Sequence, residues 1–232
     1  MTGSVATATA ALKQAVHYLD RSLAAPPKVR AFRTAMGRIA ELDDAELDRH
    51  LAAGSLTELD GIGPSTGSVI ADAVAGRTGG YLDKLEASTR VEIGEGAALR
   101  PLLRGDCHLH STWSDGGASI EEMARTAIAL GHEYMVLTDH SPRLTVAHGL
   151  SVERLAELRA EVDRLNDLLA PFRILRGVEV DILEDGTLDH DDAVLAELDL
   201  VVASVHSKLK MPADQMTRRM VMAVANPHVD IL

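Results

Sequence analysis

Between residues 104 and 232, short apolar runs alternate with amphipathic stretches, and this alternation restricts the fold more than any other feature of the chain. The segments "YMVLTDH" (134–140), "RILRGVEVDI" (173–182), "LDLVVASVH" (198–206) and "VDIL" (229–232) read as buried strands. Between them, "SIEEMARTAIALG" (119–131), "SVERLAELRAEVDRLNDLLA" (151–170), "DDAVLAEL" (191–198) and "ADQMTRRMVMAVA" (213–225) carry the spacing of helices. Strand, helix and strand in succession imply parallel strands joined by right-handed crossovers. In such architectures the carboxyl ends of the strands converge on one face, where sites are built.

Those ends are where the reactive side chains fall. A first run finishes in Asp106-Cys107-His108-Leu109-His110, the next in Thr138-Asp139-His140, a third contains Gly177-Val178-Glu179, and a fourth finishes in Ser204-Val205-His206. His108 and His110 share one side of an extended strand, because side chains alternate with period two. Asp115 follows five residues after His110, in "GDCHLHSTWSDGG". Imidazole and carboxylate donors suit zinc, manganese or iron, and a chain with one thiol does not suggest sulfur ligation. One His-x-His pair is weak; the same pair with Asp115, His140, Glu179 and His206 delivered from separate strands points to a metal centre. Asp106 reads as a group that orients a ligand or caps the strand end. His17, His50, His132, His190 and His228 have no convergent partners and read as structural or exposed.

This constellation resembles the polymerase and histidinol phosphatase (PHP) family over about 104–232. "DCHLHSTWSDG" is similar to its first motif, "TDH" to its second, "GVEVDI" to its glutamate motif and "VASVH" to a further histidine motif. The resemblance implies a distorted barrel of seven β/α units and up to three divalent metals that serve phosphate-ester hydrolysis. It places His108, His110 and Glu179 on one metal, Glu179 and His206 on a second, and Asp115 and His140 on a third. Glu179, His140 and Arg143 are then the expected catalytic residues. Arg143 and Lys208, each just after a ligand histidine, could hold the phosphate or be ordinary surface charges. His148 reads as an acid or as a loop residue. The family supplies further ligands after a strand resembling "NPHVDIL", so the chain is expected to be truncated at its C-terminus and, alone, a weak catalyst.

Residues 8–88 have a different period and read as all-helical. In "ALKQAVHYLDRSL", Leu12, Val16 and Leu19 share a face. "PPKVRAFRTAMGRIAEL" opens on prolines, which suit a helix start, and places Val29, Phe32, Met36 and Ile39 on one side. Its other side holds Lys28, Arg30, Arg33 and Arg38, a face either solvated or open to phosphate contact. In "LTELDGIGPSTGSVIADAVAGR" (56–77), Leu56 and Leu59 end a short helix, Gly61-Ile62-Gly63 make a tight hairpin, and Val69, Ile70 and Val74 lie in the next helix. Glycine permits the close approach of backbone, and the free N–H groups of a helix start favour an anion. The segment resembles the helix-hairpin-helix DNA-binding motif, and 8–88 resembles the N-terminal domain of family X DNA polymerases. That resemblance assigns DNA contact to Gly61, Gly63, Lys28, Arg30 and Arg33.

The expected organisation is therefore α+β in two domains: a helical helix-hairpin-helix domain over 1–88, a linker over 89–103, and an incomplete PHP barrel over 104–232. The linker leaves no room for a polymerase palm, so nucleotidyl transfer is not expected. Valine at position 69, near where related enzymes place a Schiff-base lysine, argues against lyase chemistry. Charge is uneven: 1–90 holds 10 Lys and Arg against 11 Asp and Glu, and the remainder 13 against 24. The acidic half repels nucleic acid unless bound cations offset its charge. No apolar run approaches the ~18 residues of a membrane span, and a single cysteine fits a reducing cytoplasm. The expected activity is metal-dependent phosphoester hydrolysis at nucleic-acid 3′ ends. The alternatives are a small-molecule phosphatase resembling histidinol phosphatase, and a non-catalytic DNA-binding module with a residual metal site.

Overall fold

A computed structural model describes residues 3–90 and 94–232. The chain divides into two compact units, Met1–Ile93 and Gly94–Leu232. Val91 to Ile93, within the stretch read as a linker, lie outside the described residues, as do Met1 and Thr2. On the far side of that gap, 94–98 and 100–102 form two single 3-10 turns.

The first unit holds five helices among its described residues: α1 (Ser4–Arg21), α2 (Pro26–Ala40), α3 (Asp44–Ala53), α4 (Pro64–Val74) and α5 (Tyr81–Thr89). Its core is mostly aliphatic with one buried aromatic ring, built on Leu12, Leu19, Phe32, Ile39, Leu47 and Ile70, each no more than 1% exposed. In α3 the Asp43 carboxylate accepts from Glu46 N at 2.8 Å, and the Glu46 side chain accepts from Asp43 N at 3.4 Å. That reciprocal pair satisfies two orphan donors at the helix start. The short helix expected to end at Leu56 and Leu59 is one 3-10 turn, Leu56–Glu58. Gly54 and Gly61, with φ of +66° and +81°, reverse the chain on either side and leave room for little more. Ile62 is buried in the helical core, whereas Gly63 faces open space.

The second unit carries strands β1 (Gly105–Leu109), β2 (Tyr134–Leu137), β3 (Arg173–Asp181) and β4 (Leu200–Ser204). The intervening helices are α6 (Ile120–Ala129), α7 (Val152–Leu169) and α8 (Asp192–Leu195), and α9 (Ala213–Val224) follows β4. All neighbours are parallel, in the order β1-β2-β3-β4, and the sheet curls as a partial barrel. Because spatial order follows chain order, crossovers of one hand wind in one direction and send their helices to one side of the sheet. Leu155, Leu158, Val162, Leu165 and Leu169 of α7 recur at helical spacing and pack with Ile120 and Ala124 of α6 on Met135, Leu137 and Ile174. Asn166 fixes that docking: its Nδ2 donates to Ile174 O at 3.0 Å and its Oδ1 accepts from Ile174 N at 2.7 Å. A second cluster joins Val178, Val180 and Ile182 to Val201, Ala203, Leu195 and Ala223. The run "VDIL" lies along β4 as a single parallel bridge, Ile231 beside Val202.

Candidate metal centre

The strand ends converge. His108 lies in β1 and His110 just past it; His140, three residues beyond β2, extends the ladder as a parallel bridge to Glu179 in β3; His206 follows β4 by two residues. Glu179 is the hub. Its Oε2 is 3.2 Å from His108 Nε2, 3.2 Å from His110 Nε2 and 3.1 Å from His140 Nδ1, and its Oε1 is 3.3 Å from His206 Nε2. Asp115, in the loop after β1, is 3.3 Å from His110 Nδ1 and 3.5 Å from His140 Nε2.

These separations test whether the group fits a cation. Donors about 2.0–2.1 Å from a first-row divalent ion stand roughly 2.8–3.0 Å apart at octahedral angles and roughly 3.3–3.4 Å apart at tetrahedral ones. The edges from Glu179, at 3.1–3.3 Å, fall within that span, and those from Asp115, at 3.3 and 3.5 Å, lie at or just past its upper end. His110 Nδ1 is buried without a hydrogen-bond partner, although Asp115 is within reach. A buried imidazole nitrogen facing a carboxylate without hydrogen-bond alignment is what a ligand position needs. The donor set therefore fits a divalent cation of the first transition row.

Three groups of potential ligands result: His108–His110–Glu179, His110–Asp115–His140 and His140–Glu179–His206. The pairing expected from sequence separated His110 from Asp115, and His140 from Glu179 and His206. The structure places His110 and His140 in two groups each. A neutral imidazole has one free lone pair, so each of these rings can serve one cation at a time.

Electrostatics at the hub oppose one another. Burial alone would raise the Glu179 carboxyl, but the contacts from His110 and His108 and the charge of His140 outweigh it and hold it down to about 2. Burial lowers both His110 and His140. At His110 the adjoining Glu179 and Asp115 carboxylates win and raise it; at His140 burial, helped by the charges of His110 and His206, keeps it below the usual value.

Two buried carboxylates outside the predicted set hold this geometry. Asp139 is 2% exposed and accepts from Ser111 N (2.8 Å), Ser111 Oγ (2.7 Å), Ser114 N (3.2 Å) and Ser114 Oγ (2.5 Å). It thereby fixes the loop that presents Asp115. Asp181 is 3% exposed and contacts His206 Nδ1 at 2.8 Å, which turns Nε2 toward Glu179. Its position, two residues after Glu179 on the same strand side, was a signal for it. Asp139 had no comparable signal, because its partners lie in another segment.

Arg143 and Lys208 are exposed in the loops after β2 and β4. Arg143 is tied by its backbone, its N donating to Asp189 Oδ2 at 2.9 Å. In the helical unit, Arg30 is exposed, Lys28 Nζ stands 5.5 Å from the Tyr81 ring centroid, and Arg33 lies 3.7 Å from Asp20.

A curled parallel sheet with histidines and carboxylates at its carboxyl edge defines a class of β/α metal-site proteins. Residues 106–228, more than half of the chain, match the PHP domain, and the chain belongs to that family. Among its relatives is the DNA polymerase/3′-5′ exonuclease PolX of Bacillus subtilis (strain 168), 49% identical over 152 residues, covering 66% of this chain and 25% of that protein. Probable phosphatases of Thermoanaerobacter sp. (strain X514) and Acetivibrio thermocellus are 36% and 34% identical over 134 and 131 residues. Each match covers 55% of this chain and about half of the relative, at 51% and 52%. The chain thus spans a quarter to a half of the curated relatives it matches. Among the described residues no helix is long and apolar enough to cross a membrane.

Proposed function

We propose that the chain carries a metal-dependent phosphoesterase site acting on nucleic-acid 3′ ends, as a 3′–5′ exonuclease or end-processing phosphatase in the cytoplasm. The observation that carries this reading is the Glu179 hub, whose two oxygens face four imidazole nitrogens at 3.1–3.3 Å. His108, His110 and Glu179 would hold one divalent cation, Glu179 and His206 a second, and Asp115 with His140 a third. When bound, such ions supply hydroxide near neutral pH and neutralise phosphoryl charge. Glu179 and His140 fix the spacing of the ligand positions. Arg143 and Lys208 would steady the phosphate by charge, their exposed side chains leaving them free to meet it.

The helical module, read as 1–88, would guide nucleic acid. Gly61 and Gly63 bring backbone to the surface, and Lys28, Arg30 and Arg33 add positive charge. The likeness to a protein named as a polymerase and exonuclease supports this substrate. The 13-to-24 balance of residues 91–232 favours a second reading, in which a small phosphomonoester is hydrolysed with less repulsion. The deciding experiment assays the chain, with manganese and with zinc, against 3′-labelled single-stranded DNA, p-nitrophenyl phosphate and histidinol phosphate. Metal-dependent DNA trimming supports the first reading; turnover of small esters alone supports the second; turnover of neither with full metal binding rejects both for this chain.

A further inference from the structure

The loops after β1 and β2 are joined by a side chain that belongs to neither. Arg154, in the first turn of α7, donates from Nη2 to Trp113 O at 2.6 Å. From Nη1 it donates to His148 O at 2.7 Å and Gly149 O at 3.5 Å. Its guanidinium also stands 5.8 Å from the Trp113 ring, whose Nε1 donates to Glu161 Oε2 at 3.0 Å further along α7. Both gripped segments are tied to ligand positions. Trp113 lies two residues before Asp115. The 141–149 loop closes on His140, Leu150 N donating to His140 O at 2.7 Å. The closure is tight: a Cβ on Gly149 would lie 1.8 Å from Ser141 O.

The Asp115 side chain is 49% exposed, so little packing holds it, and its place is inherited from its backbone. Asp139 grips that backbone at Ser111 and Ser114, and Arg154 grips it between them at Trp113. We infer that Arg154 is a positioning residue that sets the distance between Asp115 and His140, and hence the affinity of the Asp115–His140 position for its cation. This rests on the metal-centre reading above. A planar guanidinium reaches carbonyls of two segments at once, whereas an ammonium is a point charge on a flexible stem.

The test is Arg154→Lys, with Arg154→Gln beside it and Arg159→Lys, on the same helix and paired with Glu197, as control. Cobalt(II) is titrated into each full chain and followed by its visible absorption, and folding by circular dichroism and melting. In both Arg154 variants one binding step is expected to weaken roughly 10–100-fold, the magnitude usual for lost outer-shell support, with an altered cobalt spectrum at that step. The remaining steps and the control should match the unsubstituted chain. If Arg154→Gln fails to fold, Arg154→Lys decides. Unchanged affinity and spectrum at every step in a folded Arg154→Lys protein overturns the inference and leaves the metal centre standing. Uniform weakening of all steps also overturns it. Failure of the unsubstituted chain to bind cobalt overturns the metal centre itself.

Discussion

Replacing Glu179 with glutamine keeps the shape of the hub and removes its charge. Three imidazole nitrogens lie 3.1–3.2 Å from one of its oxygens and a fourth 3.3 Å from the other, so the carboxylate serves two of the three ligand groups. Removing one partner of a buried, charge-paired contact costs about 3–5 kcal/mol, which raises a dissociation constant roughly 150- to 5,000-fold. At a metal concentration about one hundred times the dissociation constant, binding stabilises the unsubstituted protein by about 2.7 kcal/mol. At about 3 °C per kcal/mol for a unit of this size, its melting point should rise by about 8 °C. The same concentration should raise the glutamine variant by less than about 2 °C. Trp113, the one tryptophan in the chain, lies in the loop beside the ligands and donates to Glu161, so its fluorescence follows melting of this unit alone. A Glu179→Gln protein that keeps the full metal-induced rise would refute Glu179 as the shared ligand.

Asp139→Asn should lower the stability of the 94–232 unit by about 3 kcal/mol in urea, because a buried carboxylate loses charge-assisted bonds from Ser111 and Ser114; a loss under 0.5 kcal/mol would contradict the role given to it. Asp181→Asn should weaken the metal position that includes His206 by roughly 10–100-fold with little change in fold, measured by calorimetric titration. In the helical unit, Gly61→Ala should cost about 1–2 kcal/mol, since φ is +81° and the new Cβ would meet Thr34 Cγ2 at 2.9 Å. Gly63→Val should fold normally, because nothing lies within 4 Å of its Cβ position, yet weaken DNA binding irrespective of sequence. Unchanged affinity in a salt titration of that variant would remove the hairpin from DNA contact.

The layout of the second unit was legible because its pattern is strong. Every helix run in 119–225 is a helix, and the strand runs at 134, 173 and 198 are strands, since leucine and valine recurred at the spacing each element needs. The convergence of His108, His110, His140, Glu179 and His206 was also legible, because a parallel sheet sends strand ends to one edge. How they are shared was not. His110 and His140 each face two carboxylates through opposite ring nitrogens, a matter of ring rotation that residue order does not encode. The same holds for Arg154, whose partners are backbone carbonyls of residues that any side chain could supply. In the helical unit, the turn at Leu56–Glu58 was read as a helix end because its leucines fit helical spacing; the two left-handed glycines around it overrule that spacing.

Because every strand pairs in parallel with the next, each pairing waits for a whole crossover to fold. His108 and His110 are neighbours from the start, but Glu179 joins them only when β3 docks, and His206 only after β4. A cation met during synthesis therefore finds two imidazoles and no hub, too little to direct the chain. Sheets of this order form late, whereas helical segments with near-neighbour contacts form early. The candidate ligand positions are thus complete only once β4 has docked, so the unit should fold without metal and take up cations afterwards, an order that refolding with and without metal, followed by Trp113 fluorescence, would check.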